Sequence, residues 1–246
     1  MFFSSFDFAN VPRYVIRYTY PMTKQRHEPS HVEKSLNIWA IVLIIWSIYR
    51  AKFGTSLPLW FDEFIAKPIV FIAPIYLFIK HVEKAKFFKS LGFFKKNIIK
   101  ELLIGLAVGL ILFLILYFGY YTRGGIQLSD FANNFTNSGY LTYIILLSIA
   151  TSISEEILSR GFILKRLYDA SKNIYTSSLF ASILFFFIHI PILFTSESIT
   201  GLLLIRLMTI DILLSFIISV IFLTRKNIII PILIHAIYVF GFWILV

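Results

Sequence analysis

Residues 140–160 read YLTYIILLSIATSISEEILSR. The run is apolar and long enough to cross a hydrocarbon core, which takes about 20 helical residues at ~1.5 Å each. Yet it ends on two adjacent carboxylates, Glu155 and Glu156, with Arg160 four residues after the second. Charged groups at membrane depth are costly unless they face a protein interior or a water-filled cavity. Ser148, Ser152, Glu155 and Ser159 recur at helical spacing, so one stripe of an oily helix is polar and has to look into a bundle. The stretch predicts a membrane helix packed among others, with a chemical or transport role on its inward face.

The rest of the chain supplies the neighbours. Apolar residues make up 58% of the 246, aromatics 18% and charged residues 15%, and mean hydropathy is +0.82, more apolar than a soluble domain can hide. Apolar stretches at Leu36–Tyr49, Phe64–Ile79, Ile98–Tyr121, Tyr140–Arg160, Asn173–Phe194, Ile199–Leu223 and Ile228–Val246 predict an all-α polytopic bundle of about seven to eight transmembrane helices. The first two are short and Pro68 and Pro74 interrupt the second, which makes one of them a candidate re-entrant or interfacial segment. The chain divides into a basic amphipathic N-terminal arm, residues 1–35, and a membrane domain, residues 36–246. Gly105 and Gly109 form a G-x-x-x-G that permits close approach of another helix.

Basic residues orient the bundle. With the N-terminus inside, the inside segments hold 17 Lys and Arg, whereas the outside loops hold only Arg50, Lys52 and Arg123; Lys67, Arg160 and Arg206 fall within spans. Because cytoplasmic loops retain positive charge, this predicts a multi-pass plasma-membrane protein with its N-terminus cytoplasmic and its C-terminus extracytoplasmic. A cytoplasmic face against an anionic leaflet accounts for the net charge of +10 without any nucleic-acid partner. The chain has no cysteine, which excludes disulfides, thiolate metal sites and cysteine nucleophiles. It also has no G-x-S-x-G elbow of a serine hydrolase.

Arg160 lies one turn past Glu156, where an i,i+4 ion pair holds that carboxylate and leaves Glu155 as the less neutralised one, free to act as a base. His189, in LFFFIHIPILF, and His235, in IIPILIHAIYVFGF, are each the sole ionisable group of an apolar neighbourhood. A glutamate and two imidazoles can activate water and stabilise an oxyanion directly. They can also do so through a divalent metal such as zinc, ligated by Glu155, His189 and His235. The linear H-E-x-x-H signature is absent, so such a site has to be assembled between helices. For the three to meet at one depth, the fourth helix has to run to Lys165 and the fifth start near Ser177, making residues 166–176 the connection. Asp211, five residues after Arg206, is a secondary candidate, either as an ion-paired packing residue or as part of the site.

Glu155-Glu156-x-x-x-Arg160, then Phe185-x-x-x-His189, then Pro231-Ile-Leu-Ile-His235-Ala resembles the CAAX protease and bacteriocin-processing (CPBP, also Abi) membrane family, the type II CAAX prenyl endopeptidase-like proteins. The resemblance covers residues 140–246 and implies an intramembrane endopeptidase acting on a peptide or membrane-protein substrate. It implies Glu155 as the water-activating base, Glu156 and Arg160 as its supporting pair, His189 as partner of the catalytic water or metal, and His235 as the second histidine. Eukaryotic relatives cut prenylated C-terminal tails, and bacterial relatives are associated with peptide maturation, bacteriocin self-immunity and regulation of surface proteins. The richness in Ile, Phe and Lys points to a bacterial plasma membrane. The family usually carries an Asn one turn after the second histidine; this chain has Val239, which has no donor to offer. A catalytically impaired membrane regulator or immunity protein that retains the fold is therefore the second reading, and both a metal and a metal-free glutamate mechanism stay open.

Overall fold

A computed structural model describes residues 30–54, 56–94, 97–122, 138–195 and 201–245. Most of the predicted N-terminal arm, residues 1–29, lies outside the described residues, as do Arg123 and the loop that follows it. Among the described residues the chain is all helical: α1 (His31–Phe53), α2 (residues 59–81), α3 (Phe87–Ser90), α4 (Ile98–Tyr121), α5 (Ser138–Ser171), α6 (Ile174–Thr195), α7 (Gly201–Arg225) and α8 (Ile229–Leu245). Within α1, α4, α5, α6 and α7 lie stretches long and apolar enough to cross a membrane, and α8 is a shorter apolar helix. Leucines, isoleucines and phenylalanines such as Ile99, Leu103, Leu110, Ile115 and Phe118 line the exposed face of α4, as a lipid-facing surface requires and a soluble one does not tolerate. The chain is a multi-pass membrane protein.

Local sequence explains the ends. Ser30 caps α1 by accepting from Glu33 N while Glu33 Oε2 accepts from Ser30 N, a reciprocal box that satisfies two orphan donors. The second apolar stretch is a continuous rod rather than a re-entrant loop. Its α-helical ends, Leu59–Phe61 and Ala73–His81, flank two π-helical segments, Asp62–Ala66 and Pro68–Ile72, on either side of Lys67. Pro68 has no N–H and collides with the preceding turn of a regular helix, and the widened turns accommodate it.

Helix α5 is also widened: its α-helical part ends at Glu156 and Ile157–Leu164 is π-helical. It runs on to Ser171, well beyond the expected Lys165. Lys172 adopts φ 55° and donates to Tyr168 O, and Asn173 Oδ1 caps α6 at Thr176 N. The connection is thus a tight turn at Lys172 and Asn173, not the expected segment 166–176. At 34 residues and about 1.5 Å each, α5 is roughly 50 Å long, against ~30 Å of hydrocarbon, so one end projects. There Arg166 donates to both carboxylate oxygens of Glu83 and Lys165 to Ser90 O. Arg225 pairs with Glu101 and Ile228 N with Gly92 O at this same basic end.

Helix α8 packs between α4 and α5, and α6 packs on α7 and α1. The small-residue motif works as expected: a Cβ on Gly105 would stand 3.0 Å from Leu233 Cδ1, and one on Gly109 would stand 2.5 Å from Ile237 Cδ1 and 3.2 Å from its Cβ. Leu233 and Ile237 share one face of α8, and His235, two residues from each, points the other way, toward α5. The glycines therefore set how far α8 reaches into the bundle. Gly109→Val is expected to lower stability by about 1–3 kcal/mol through overpacking, whereas Gly119→Val, where no atom lies within 4 Å, changes it little; thermal denaturation in detergent compares the two.

Candidate active site

Glu155, Glu156, Arg160, His189, Asp211 and His235, all picked out from the sequence, converge in one cluster. Because α5 and α6 run antiparallel from the turn at Lys172, residues equally far from it along the two helices lie at the same level. Glu155 and His189 are such a pair. The stripe of Ser148, Ser152, Glu155 and Ser159 is buried along its length, as an inward polar face requires. Glu155 is 3% exposed and Glu156 is fully buried.

The two glutamates serve different neighbours. Glu156 Oε1 accepts from Arg160 Nη1 at 2.8 Å and from His235 Nδ1 at 2.8 Å. Arg160 also donates through Nη2 to Ser215 Oγ at 2.8 Å and to Ser215 O at 3.2 Å on α7, and its guanidinium lies 4.4 Å from the ring centre of Phe185. Phe185 meets His189 and His235 edge-on, with ring centres 4.7 and 5.8 Å away. This pair and its arginine lock three helices and fix the plane of the His235 ring.

Glu155 faces the histidines with Oε2, which has no hydrogen-bond partner and lies 3.5 Å from His189 Nε2 and 3.8 Å from His235 Nε2. Behind each imidazole stands another carboxylate: Glu156 at His235 Nδ1, and Asp211 Oδ2 at 3.5 Å from His189 Nδ1. His189 Nδ1 also lies 3.3 Å from Phe185 O. Asp211 is thus drawn into the cluster as the partner of an imidazole, not as an oxyanion donor. The side chain of Arg206, named with it, lies outside the described residues.

Two members come from α2. Lys67 Nζ donates to Glu155 Oε1 at 2.7 Å and contacts Glu63 Oε2 at 2.7 Å, with Thr151 Oγ1 also donating to Glu63 Oε2. The expectation that Glu155 is the less neutralised carboxylate is therefore corrected: it carries its own buried ammonium. The signal was a lysine amid apolar residues, four positions after a glutamate, an ionisable pair at membrane depth. His189 and Asp211, with side chains 26% and 25% exposed, form the open wall of the cluster, and the rest is closed. Val239, half-buried on α8, brings no donor.

Among the described residues, no group of three or more His, Asp or Glu side chains is arranged to hold a metal ion. In the set expected for zinc, one carboxylate oxygen of Glu155 is held by an ammonium. As arranged here, the Glu155, His189 and His235 donors do not form such a centre.

Residues 137–241 match the family model described as type II CAAX prenyl endopeptidase Rce1-like. No significant match to a curated protein or to a solved structure was found. The matched segment contains Glu155, Glu156, Arg160, His189, Asp211 and His235, while Lys67 and Glu63 lie outside it. The segment that builds α5 to α8 is thus similar to the type II CAAX prenyl endopeptidase Rce1-like family, a family of proteases.

Proposed function

We propose that the chain is an intramembrane endopeptidase in which Glu155 activates a water for attack on a peptide bond. The observation that carries this is the orphaned Oε2 of Glu155, buried and faced by Nε2 of both His189 and His235. An acceptor without a partner in a dry interior is costly, and a water bridging it to the imidazoles satisfies all three. In the reaction, that water gives a proton to Glu155 Oε2 while its oxygen bonds to the carbonyl carbon. His189, on the open wall, donates to the carbonyl oxygen as negative charge develops there, with Asp211 compensating the imidazolium. Collapse breaks the C–N bond, and Glu155 returns the proton to the leaving amine.

The family match supports a substrate held at the membrane: a prenylated C-terminal tail, a maturing peptide, or a membrane-protein segment in bacteriocin self-immunity or surface-protein regulation. The mechanism is of the glutamate type, so cleavage survives chelators. The clustering of Lys80, Lys86, Lys89, Lys165, Arg166 and Lys226 toward one end supports placing that end in the cytoplasm of a bacterial plasma membrane. The second reading, a regulator that keeps the fold without turnover, draws on Val239.

Glu155→Gln keeps the side chain's shape and removes the proton acceptor. It is expected to cut the rate by about 10²–10⁴-fold or more with unchanged membrane insertion. New peptide termini in membranes of cells expressing each form are the readout, and a terminus profile identical to wild type sinks the protease in favour of the regulator. Arg160→Ala strands Glu156 in a dry site and unties His235 from α7. It is expected to cost ~3–5 kcal/mol, seen as a lower melting temperature together with lost cleavage. For the topology, a cysteine at Lys86 is expected to be shielded from an impermeant thiol reagent added outside and one at Ser56, at the opposite end of α2, to react. The reverse pattern overturns the orientation.

A further inference from the structure

The cluster contains a cation that the matched segment does not supply. Lys67 is buried between the two π-helical segments of α2, and its ammonium touches Glu155 Oε1 and Glu63 Oε2, each at 2.7 Å. The Trp46 ring lies 5.8 Å away, a further contact that favours a cation. A lysine placed only for packing would leave its head group where water can reach it. This one is instead drawn fully inside, onto the carboxylate that faces both histidines.

We propose that Lys67 is a positioning residue of the hydrolytic site: it clamps Oε1 of Glu155 and so makes Oε2 the oxygen that takes the proton from water. This rests on Glu155 being the base. A free carboxylate rotates and offers either oxygen, whereas a charge-assisted hydrogen bond to one of them fixes the plane of the group. Lys67 does not block the reaction, since the oxygen it leaves unengaged is the one aimed at His189 and His235. Glu63 completes the device. When Glu155 becomes neutral on accepting the proton, the ammonium stays anchored by Glu63, itself held by Thr151, and the clamp is still in place when the proton is returned. The site is therefore built from both parts of the chain, with α2 supplying what α5 to α8 lack.

The test compares wild type, Lys67→Met, Lys67→Arg and Glu155→Gln in membranes at equal protein level. The readout is the rate at which Glu155-dependent peptide termini appear after induction, with melting temperatures measured on the same purified samples. Lys67→Met is expected to slow their appearance on the order of 10²-fold, the scale of a misplaced catalytic group, at a temperature where it is fully folded. Lys67→Arg, which keeps the charge and the donors, is expected to restore a substantial part of the rate. If Lys67→Met does not accumulate, Lys67→Met/Glu63→Gln, which removes a carboxylate together with the ammonium, is measured in its place, with the same loss expected. Unchanged or faster cleavage without the ammonium overturns the clamp and leaves the protease standing. Loss that follows melting temperature alone, with no rescue by Arg, also overturns it. Absence of any Glu155-dependent terminus in wild type overturns the protease itself, and the clamp with it.

Discussion

Keeping a carboxylate ionised in a place without water is the constraint on which the rest of this molecule depends. The effective penalty for burying an ion is several kcal/mol even after relaxation, and here Glu155 and Glu156 are buried side by side. Each is compensated by a cation of its own, Lys67 from α2 and Arg160 from the next turn of α5. Those cations need further partners, found in Glu63, Ser215 and the faces of Trp46 and Phe185. The histidines of α6 and α8 and Asp211 of α7 close the remaining sides. Six helices are thus bound to one polar knot, which in a solvent as apolar as the core supplies an orientation that greasy contacts alone do not.

The backbone is shaped around that knot. Wide turns flank Lys67 on α2 and begin directly after Glu156 on α5, and such turns recur at functional positions because they re-aim side chains without ending the helix. The tight turn at Lys172 equalises the heights of Glu155 and His189. The glycine face of α4 lets α8 move inward until His235 reaches Glu156. None of these devices touches the reacting atoms, yet each sets a distance in the site.

Exposure is uneven around the cluster. Glu156, Arg160 and Lys67 are sealed, whereas His189 and Asp211 are open. The sealed groups hold charge and orientation, and in the proposed reaction the open ones are where a peptide carbonyl arrives. The far end of α2 is separately secured by Asp62, which accepts from Tyr49 and from Arg50. That anchor fixes where the rod carrying Lys67 begins.

From the sequence alone, the membrane class, the all-helical fold, the inward stripe of α5, the Glu156–Arg160 pair and the setting of both histidines in apolar helices were legible. Each rests on local information: composition, a helical period, or an i,i+4 spacing. The close approach at Gly105 and Gly109 was legible for the same reason. Only the tertiary structure decided which ions meet across helices. Lys67 and Glu155 are far apart in the chain, and no periodicity links a lysine beside a proline to a glutamate on another span. Asp211 was visible as an oddity, but its place behind His189 depends on how α6 and α7 pack. The reading of Glu155 as the less neutralised carboxylate failed for that reason: neutralisation of a buried charge depends on whatever comes within ~4 Å in space, and sequence spacing reports only the neighbours on the same helix.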